Sequence, residues 1–359
     1  DPGFTPALTE AQLREFYQNT GNYYLTMSTA ALAANEAALD GSSVSRVFSL
    51  PLDVADLQLY GASGVTPSVS VTGPNGSAVA GSLVFDEDLN ELRFVPTNAV
   101  LPGGTYTINY DSGDFQVSGT EVDIELTTET FEVDATNPVV YLPSFARGPG
   151  QAVDIGGTGI PVRISNTEDL TNIRITVDYD PDALNITGAE LAAGLTDWEL
   201  VGTPTISNGR ITVDIRDDIT VDPDNPDPNN GLPNPLPAGD REVIRLIADV
   251  PANAVFNSAE VLEVSAGARA GSRSVTISDS TAIQKVAFFA DTNANGRVNA
   301  ADAVNVLRLA AGLGTGFDPF DLVDPNLIAD TNNNGRSNAA DAVNILRSAA
   351  GLNTPTIPT

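Results

Sequence analysis

Cysteine and histidine are both missing from this chain of 359 residues. Their absence excludes disulfide bonds, thiolate or imidazole metal sites, and catalysis by Ser-His or Cys-His pairs. A metal ion could therefore be held only by oxygen atoms, which favours calcium or magnesium. Long apolar runs are missing as well. Because no run approaches the roughly 18 residues that span a bilayer, the sequence predicts no transmembrane segment.

Basic residues are scarce: 17 lysines and arginines stand against 47 acidic residues, Lys285 is the single lysine, and the formal net charge is −30. A surface this negative repels phosphate backbones, so nucleic acid is not expected as a partner. It also attracts cations, and bound calcium would relieve part of the self-repulsion. The start Asp1-Pro2-Gly3 resembles a mature end left after signal-peptide removal, although a trimmed recombinant chain would look the same. We therefore expect a secreted protein, extracellular or at the cell surface.

The length of the chain predicts two to four domains, each large enough to bury its own core. The residue patterns divide it into an N-terminal helical segment at 1–43, two β-rich regions at 44–136 and 137–287, and a C-terminal module at 288–359. A capping-box pattern and an apolar face predict the helix in the first segment.

The region 44–136 alternates apolar and polar residues over short runs, which turns containing Gly and Pro separate. This period-two pattern predicts a small β-sandwich. The predicted strands are Val69–Val71, Leu83–Phe85, Leu92–Val95, Thr105–Ile108 and Val122–Leu126. The stretch 70–108 resembles the bacterial Ig-like domains that are common in surface proteins.

The region 137–287 carries longer strand patterns. The predicted strands are Gly159–Ile164, Ile173–Tyr179, Arg210–Ile215 and Glu242–Ala248. The order of these elements, with the turn at 178–184 and the strand end at 249–251, resembles a cohesin domain. The resemblance implies a jelly-roll β-sandwich. An insertion at 222–240 departs from that pattern, and its Pro, Asp and Asn residues predict an exposed, extended loop.

An internal repeat near the C-terminus is the clearest signal in the chain. The segment 291–308 reads DTNANGRVNAADAVNVLR, and the segment 330–347 reads DTNNNGRSNAADAVNILR. In a twelve-residue EF-hand loop, calcium takes oxygens from positions 1, 3, 5, 7, 9 and 12, and a Gly at position 6 makes the turn. Both copies fit, so the sequence predicts two Ca2+ ions. The predicted ligands are Asp291, Asn293, Asn295, the Arg297 carbonyl, Asn299 and Asp302 in the first loop, and Asp330, Asn332, Asn334, the Arg336 carbonyl, Asn338 and Asp341 in the second.

The alternative interpretation is that these Asp-Asn-Gly runs are only turns, which such residues favour. Two copies in the same register argue against it. Two carboxylates per loop predict a modest affinity that suits calcium-rich extracellular fluid. Each loop leads into a predicted helix, at 302–311 or 341–350, that ends at Gly312 or Gly351. The predicted apolar stripe of the two helices consists of Val304, Leu307, Val343 and Leu346.

Position 12 of each loop is Asp instead of the usual EF-hand Glu, and the first loop follows Phe288-Phe289-Ala290 instead of a long helix. Both features resemble a dockerin module. The resemblance implies that loop positions 10 and 11 and the following helix bind a cohesin. The residues so implied are Ala300, Ala301, Leu307, Arg308, Ala339, Ala340, Leu346 and Arg347. Many cellulosomal dockerins carry Ser or Thr at the first pair, so the alanines predict a more apolar interface.

The predicted fold class is mainly β with α: tandem Ig-like and cohesin-like β-sandwiches, a helical N-terminal segment, and an α-helical module with paired calcium loops. A cohesin-like and a dockerin-like domain on one chain correspond to a socket and a plug. About five connecting residues span at most ~18 Å, whereas a domain of this size is ~40 Å across. Self-capping is therefore not expected, and head-to-tail binding between copies would give a filament or surface layer.

Three alternatives stay open. The protein could be an adaptor whose dockerin binds a cohesin of a different scaffold, or the N-terminal segment could exchange between neighbours. A glycosidase needs only two carboxylates, which Asp86–Asp88 or Asp217-Asp218 could supply. Both clusters are predicted at solvated turns, so we expect no enzyme. Asp222, Asp224 and Asp227 could hold a further calcium ion, but a solvated Pro-rich loop is the preferred interpretation.

Overall fold

The computed structural model describes residues 36–37, 43–217 and 234–358, apart from gaps at 49, 61–65, 121–122, 125, 127, 314–316, 353 and 355. Most of the predicted helical segment and most of the 222–240 insertion, including its three candidate calcium ligands, therefore lie outside the described residues.

The first β-sandwich is built from strands β1 (Glu36–Ala37), β2 (Val44–Val47), β3 (Leu52–Asp53), β4 (Val69–Thr72), β5 (Ala78–Val79), β6 (Gly81–Asp86), β7 (Glu91–Pro96), β8 (Gly104–Tyr110), β9 (Gln116–Val117) and β10 (Glu129–Val133). One sheet has the order β1-β2-β7-β6, the other has the order β10-β8-β4-β5, and β3 pairs with β9. Along β4 and β8 the side chains alternate between buried and more exposed, as expected for sheets with one face in a core. Tyr106, Ile108 and Phe115 lie at the centre of that core.

The second β-sandwich contains strands β11 (Val140–Tyr141), β12 (Phe145–Arg147), β13 (Ile160–Ile164), β14 (Asn172–Asp178), β15 (Asn185–Leu191), β16 (Trp198–Leu200), β17 (Thr205–Ser207), β18 (Arg210–Asp217), β19 (Arg241–Asp249), β20 (Ala259–Ala270), β21 (Arg273–Thr276) and β22 (Ser280–Val286). The smaller sheet has the order β11-β13-β19-β15. The larger has the order β12-β22-β20-β14-β18-β16, with β12 parallel to β22. Their apolar faces enclose the largest core of the described chain.

The C-terminal module contains helices α1 (Ala300–Ala310), α2 (Pro325–Ala329) and α3 (Ala339–Ala349), and a short 3-10 helix at Asp318–Phe320. The helices α1 and α3 pack against each other. After them, Gly312 and Gly351 adopt φ values of 66° and 71°, a left-handed conformation that ends a helix at little cost for glycine. None of the helices that the structure describes is long and apolar enough to cross a membrane.

A third apolar core joins the C-terminal module to both sandwiches. The first sandwich contributes Val84 and Val95, the second contributes Ile283, and the module contributes Phe320 and Ile345 among others. All five side chains are buried. The described chain therefore has three units that share one packed junction.

The predicted fold class is confirmed: the protein is mainly β, with β-sandwiches and helices near the C-terminus. Two local predictions are wrong. Glu36–Ala37 lies in the predicted helical segment but forms a strand, because it pairs with Val44 and Ser45. Of the described residues in the predicted strand 122–126, Asp123 makes only an isolated bridge, and β10 takes the edge of the sheet instead.

Candidate calcium-binding module

The first loop, 291–302, is a tight turn in which the backbone holds the predicted ligand side chains. The carboxylate of Asp291 accepts hydrogen bonds from the N–H of Gly296 at 2.6 Å and of Asn295 at 3.2 Å. The side-chain oxygen of Asn295 accepts from the N–H of Arg297 at 3.0 Å. The turn needs Gly296, whose φ of 79° is strained for a residue with a Cβ. Positions 1 and 5 are thereby joined, and the Arg297 carbonyl at position 7 accepts from the side-chain amide of Asn299 at 3.1 Å.

Asp302 joins the end of the loop to its beginning. One carboxylate oxygen accepts from the N–H of Thr292 at 2.9 Å, and the other accepts from the N–H of Asn299 at 2.8 Å. Asn299 is the N-cap of α1, and its side-chain oxygen accepts from the N–H of Ala301 at 2.9 Å. This reciprocal capping box fixes the start of the helix. The predicted ligand at position 12 therefore also sets the direction of α1.

The second loop, 330–341, repeats this geometry. Asp330 accepts from the N–H of Gly335 at 2.6 Å, and Asp341 accepts from the N–H of Asn338 at 2.8 Å. In addition, the side-chain oxygen of Asn332 at position 3 is buried without a hydrogen-bond partner. An orphaned buried acceptor costs free energy unless a cation or water satisfies it. Its presence at a predicted ligand position fits an oxygen-coordinated cation.

The electrostatics of the loops fit the same ion. Asp291 and Asp302 are both completely buried. Burial raises the pKa of the Asp291 carboxyl, and the charge of Asp302 adds to the shift, although hydrogen bonds from Gly296 and Asn295 oppose it. A divalent cation would offset this desolvation and repulsion. Within the described ranges no three or more acidic side chains form a metal cluster. Each loop instead combines two carboxylates with Asn and backbone oxygens, a donor set that calcium accepts.

The two helices carry apolar residues on two different faces. Ala303 and Val306 of α1 are buried, and so are Ala342 and Ile345 of α3. The predicted stripe of Val304, Leu307, Val343 and Leu346 is instead exposed, at 52%, 45%, 54% and 44%. Two i, i+3 apolar pairs compete for the buried position in each helix. The pair with the smaller Ala packs, since Ala permits close approach of the helices.

All eight side chains that the dockerin resemblance implies for partner binding are exposed. We name them, together with Val304 and Val343, the docking face: Ala300, Ala301, Val304, Leu307 and Arg308 on α1, and Ala339, Ala340, Val343, Leu346 and Arg347 on α3. Neither valine was among the residues that the dockerin resemblance implies for partner binding. The sequence did carry a signal for them, because Val304 and Val343 occupy the same position of the repeat.

The acidic clusters considered for catalysis lie in different sandwiches. Asp86 ends β6, and its carboxylate accepts from the N–H of Leu89 at 2.9 Å in the turn that follows. Asp217 is buried at the end of β18 and accepts from the N–H of Asn234 at 2.5 Å. Asp218 lies outside the described residues. Trp198 is buried as well, so it does not offer a flat surface to a sugar.

No protein-family model and no curated protein matches the chain. Solved structures of cohesins match part of it. A non-cellulosomal cohesin from the hyperthermophilic archaeon Archaeoglobus fulgidus has 14% identity and a TM-score of 0.31, over 42% of this chain and 91% of that one. The sixth cohesin of scaffoldin B from Acetivibrio cellulolyticus, in complex with a mutant dockerin, has 14% identity and a TM-score of 0.31, over 41% and 98%. A cohesin module of a family 33 glycoside hydrolase from Clostridium perfringens has 11% identity and a TM-score of 0.29, over 42% and 94%.

Proposed function

We propose that this protein is a non-catalytic extracellular structural protein that assembles head to tail through its C-terminal module. In this proposal the two loops each bind one Ca2+ ion, which orders the module. The docking face of one copy then acts as the plug, and the second sandwich of the next copy acts as the socket. The assembly grows into a filament or surface layer.

The arrangement of α1 and α3 carries the proposal. One face of each helix is buried in the core that joins the module to the sandwiches, whereas the docking face stays exposed. The exposed side chains include two leucines and two valines, at equivalent positions of the repeat. An exposed apolar surface of this kind is typical of a protein-binding site.

The second sandwich offers a corresponding surface. The outer face of its larger sheet has an open pocket of about 520 Å³ over Gly267, where a missing side chain leaves the sheet bare. Val201 and Val275 provide apolar contact area beside it, Arg269 adds a positive charge, and Arg174 forms an ion pair with Asp214 at 2.7 Å. Such an apolar surface suits the exposed valines and leucines of the docking face.

Binding between copies follows from the fixed position of the module. Because the buried face of α1 and α3 belongs to the core that joins the module to both sandwiches, the docking face points away from that core. A contact between two different surfaces of identical subunits does not close unless its rotation happens to form a ring. Open head-to-tail growth is the simplest outcome.

Electron microscopy of the purified protein tests the proposal, first with calcium and then after chelation. We expect filaments that need calcium and that disappear in the double variant Leu307→Asp, Leu346→Asp. Both leucines are exposed, so the variant should fold, which circular dichroism can check. The matched control Leu89→Asp changes another exposed leucine, on the first sandwich, and should leave the filaments intact.

Two results would contradict the proposal. A stable monomer with calcium would favour the adaptor, which binds a cohesin of a different scaffold. Filaments that persist in the double variant and after chelation would favour exchange of the N-terminal segment.

A further inference from the structure

The segment between the two loops is bound to the first sandwich. The carbonyl oxygen of Asp321 accepts hydrogen bonds from the N–H groups of Leu59 at 2.8 Å and Tyr60 at 2.9 Å. The carbonyl oxygen of Leu322 accepts from the N–H of Leu83 at 2.8 Å. Leu83 lies in β6, which is the last strand of its sheet. The segment therefore covers an otherwise open sheet edge.

The side chain of Asp324 continues this contact. It is almost completely buried, and it accepts a hydrogen bond from the hydroxyl of Thr97. Its own N–H donates to the hydroxyl of Ser82 at 2.9 Å. Asp324 also caps α2, because its carboxylate accepts from the N–H of Asn326 at 2.9 Å.

Asn326 carries the network into the second loop. Its side-chain oxygen accepts from the N–H of Ser337 at 2.7 Å and from the hydroxyl of Ser337 at 2.8 Å. Ser337 is position 8 of the loop, between the predicted ligands Arg336 and Asn338. A continuous chain of hydrogen bonds thus runs from the first sandwich through α2 to the predicted calcium site.

The first loop has no equivalent of this network. When the two copies of the repeat are aligned, Ala287 corresponds to Asn326, and Val298 corresponds to Ser337. Neither apolar side chain can make these hydrogen bonds. The two nearly identical repeats therefore differ at the residues that make this contact. Ser337 stands in place of an apolar residue in the second copy, which is the copy that the hydrogen bonds connect to the first sandwich.

We propose that docking of the segment 321–326 on the first sandwich and calcium binding in the second loop are coupled, so that the first sandwich acts as an intramolecular effector of the second loop alone. This inference rests on the proposed calcium binding. Coupling is reciprocal: if docking favours the bound ion, the ion favours docking by the same factor. Calcium binding then favours docking of the segment 321–326 on the β6 edge, in addition to ordering the second loop.

Calorimetric titration with CaCl2 tests the effect of docking on each loop. The variant Asp291→Ala leaves the second loop as the binding site, and Asp330→Ala leaves the first. Adding Thr97→Val should weaken calcium binding about fivefold or more in the Asp291→Ala chain. The same change should leave affinity unaltered in the Asp330→Ala chain. The matched control Thr105→Val removes another hydroxyl of the first sandwich, one that bonds Glu132, and should alter neither affinity.

Hydrogen–deuterium exchange of the unmodified chain tests the reverse direction. Chelation should speed exchange of the Leu59, Tyr60 and Leu83 amides, which bond the segment 321–322. Amides of β8, an inner strand of the other sheet, should stay protected.

The outcomes separate this inference from the proposed function. If the Asp291→Ala chain binds no calcium, both are wrong. If it binds calcium equally well with and without Thr97→Val, or if the three amides exchange equally with and without calcium, the coupling is wrong and the proposed calcium binding stands.

Discussion

Ile345 and Val343 lie two positions apart on α3, yet the structure gives them opposite roles. Ile345 has no exposed surface and belongs to the core that joins the module to the sandwiches, whereas Val343 is 54% exposed on the docking face. Truncating a buried Ile to Ala loses both its transfer free energy and its packing contacts. The free energy of unfolding should fall by about 2–5 kcal/mol in Ile345→Ala. Val343→Ala removes little buried surface, so its free energy of unfolding should change by no more than about 0.5 kcal/mol.

Urea denaturation in saturating calcium measures these two values. The effect of the two variants on assembly should be the reverse of their effect on stability. Sedimentation velocity well below the unfolding transition should find normal assembly for Ile345→Ala, because its docking face is intact. Val343→Ala should assemble only at a higher protein concentration.

Equal loss of stability in the two variants would refute the assignment of the two helix faces. Normal assembly of Val343→Ala would remove that residue from the docking face.

Two further predictions concern the junctions between the units. Burial raises the pKa of Glu260 to about 7, and the charges of Asp180 and Asp86 add to the shift. The Glu260 carboxyl therefore keeps its proton in the folded chain up to about pH 7, whereas the unfolded chain releases it from about pH 4.5. Because of this difference, the stability that Glu260 contributes is complete below about pH 4.5 and is lost as the pH rises through about 7. Urea denaturation at pH 5 and pH 8 should show a smaller fall for Glu260→Gln than for the unmodified chain, and an equal fall would contradict the assignment. Phe320 is 1% exposed in the shared core, so Phe320→Ala should lower the free energy of unfolding by about 3–5 kcal/mol, measured in the same way. The control Phe256→Ala, at a ring that is 37% exposed, should cost clearly less, and equal costs would argue against the shared core.

The strands with regular alternation could be predicted from the sequence, because burial of one face leaves a direct trace in the residue pattern. β14 and β18 are examples: each follows its predicted range closely at both ends. β22 was not predicted, and all of its side chains are buried. A strand covered on both faces has no alternation to detect. In this chain its outer side is covered by the first sandwich, whose β7 contacts β22, and by the C-terminal module, which shares a core with Ile283.

The tight turns of the two loops could be predicted from the sequence because such turns depend on local spacing, and calcium binding at each position stays a prediction. The contacts of Asp324 could not, because its partners Ser82 and Thr97 belong to the first sandwich, in a distant part of the sequence. The sequence likewise does not decide which of the two apolar faces of α1 and α3 is buried. Helical periodicity limits which residues share a face, but only the packed structure decides which face meets a neighbour.

The two loops are alike in sequence, but different contacts join them to the sandwiches. The first follows β22 directly, and Phe288 in the connection packs against Gly148, where a Cβ would lie 2.3 Å from the ring. Arg147 covers the neighbouring Phe289 ring at 5.6 Å. The second loop is bonded to the first sandwich through Asp324 and Asn326, and α2 before it also contacts β12 of the second sandwich. Since α1 and α3 also pack on each other, the duplicated module connects both sandwiches into one body. In a rigid subunit the two binding surfaces keep a fixed relative orientation, so the proposed filament should have one fixed repeat distance. Sandwiches joined by flexible linkers would give a variable repeat distance.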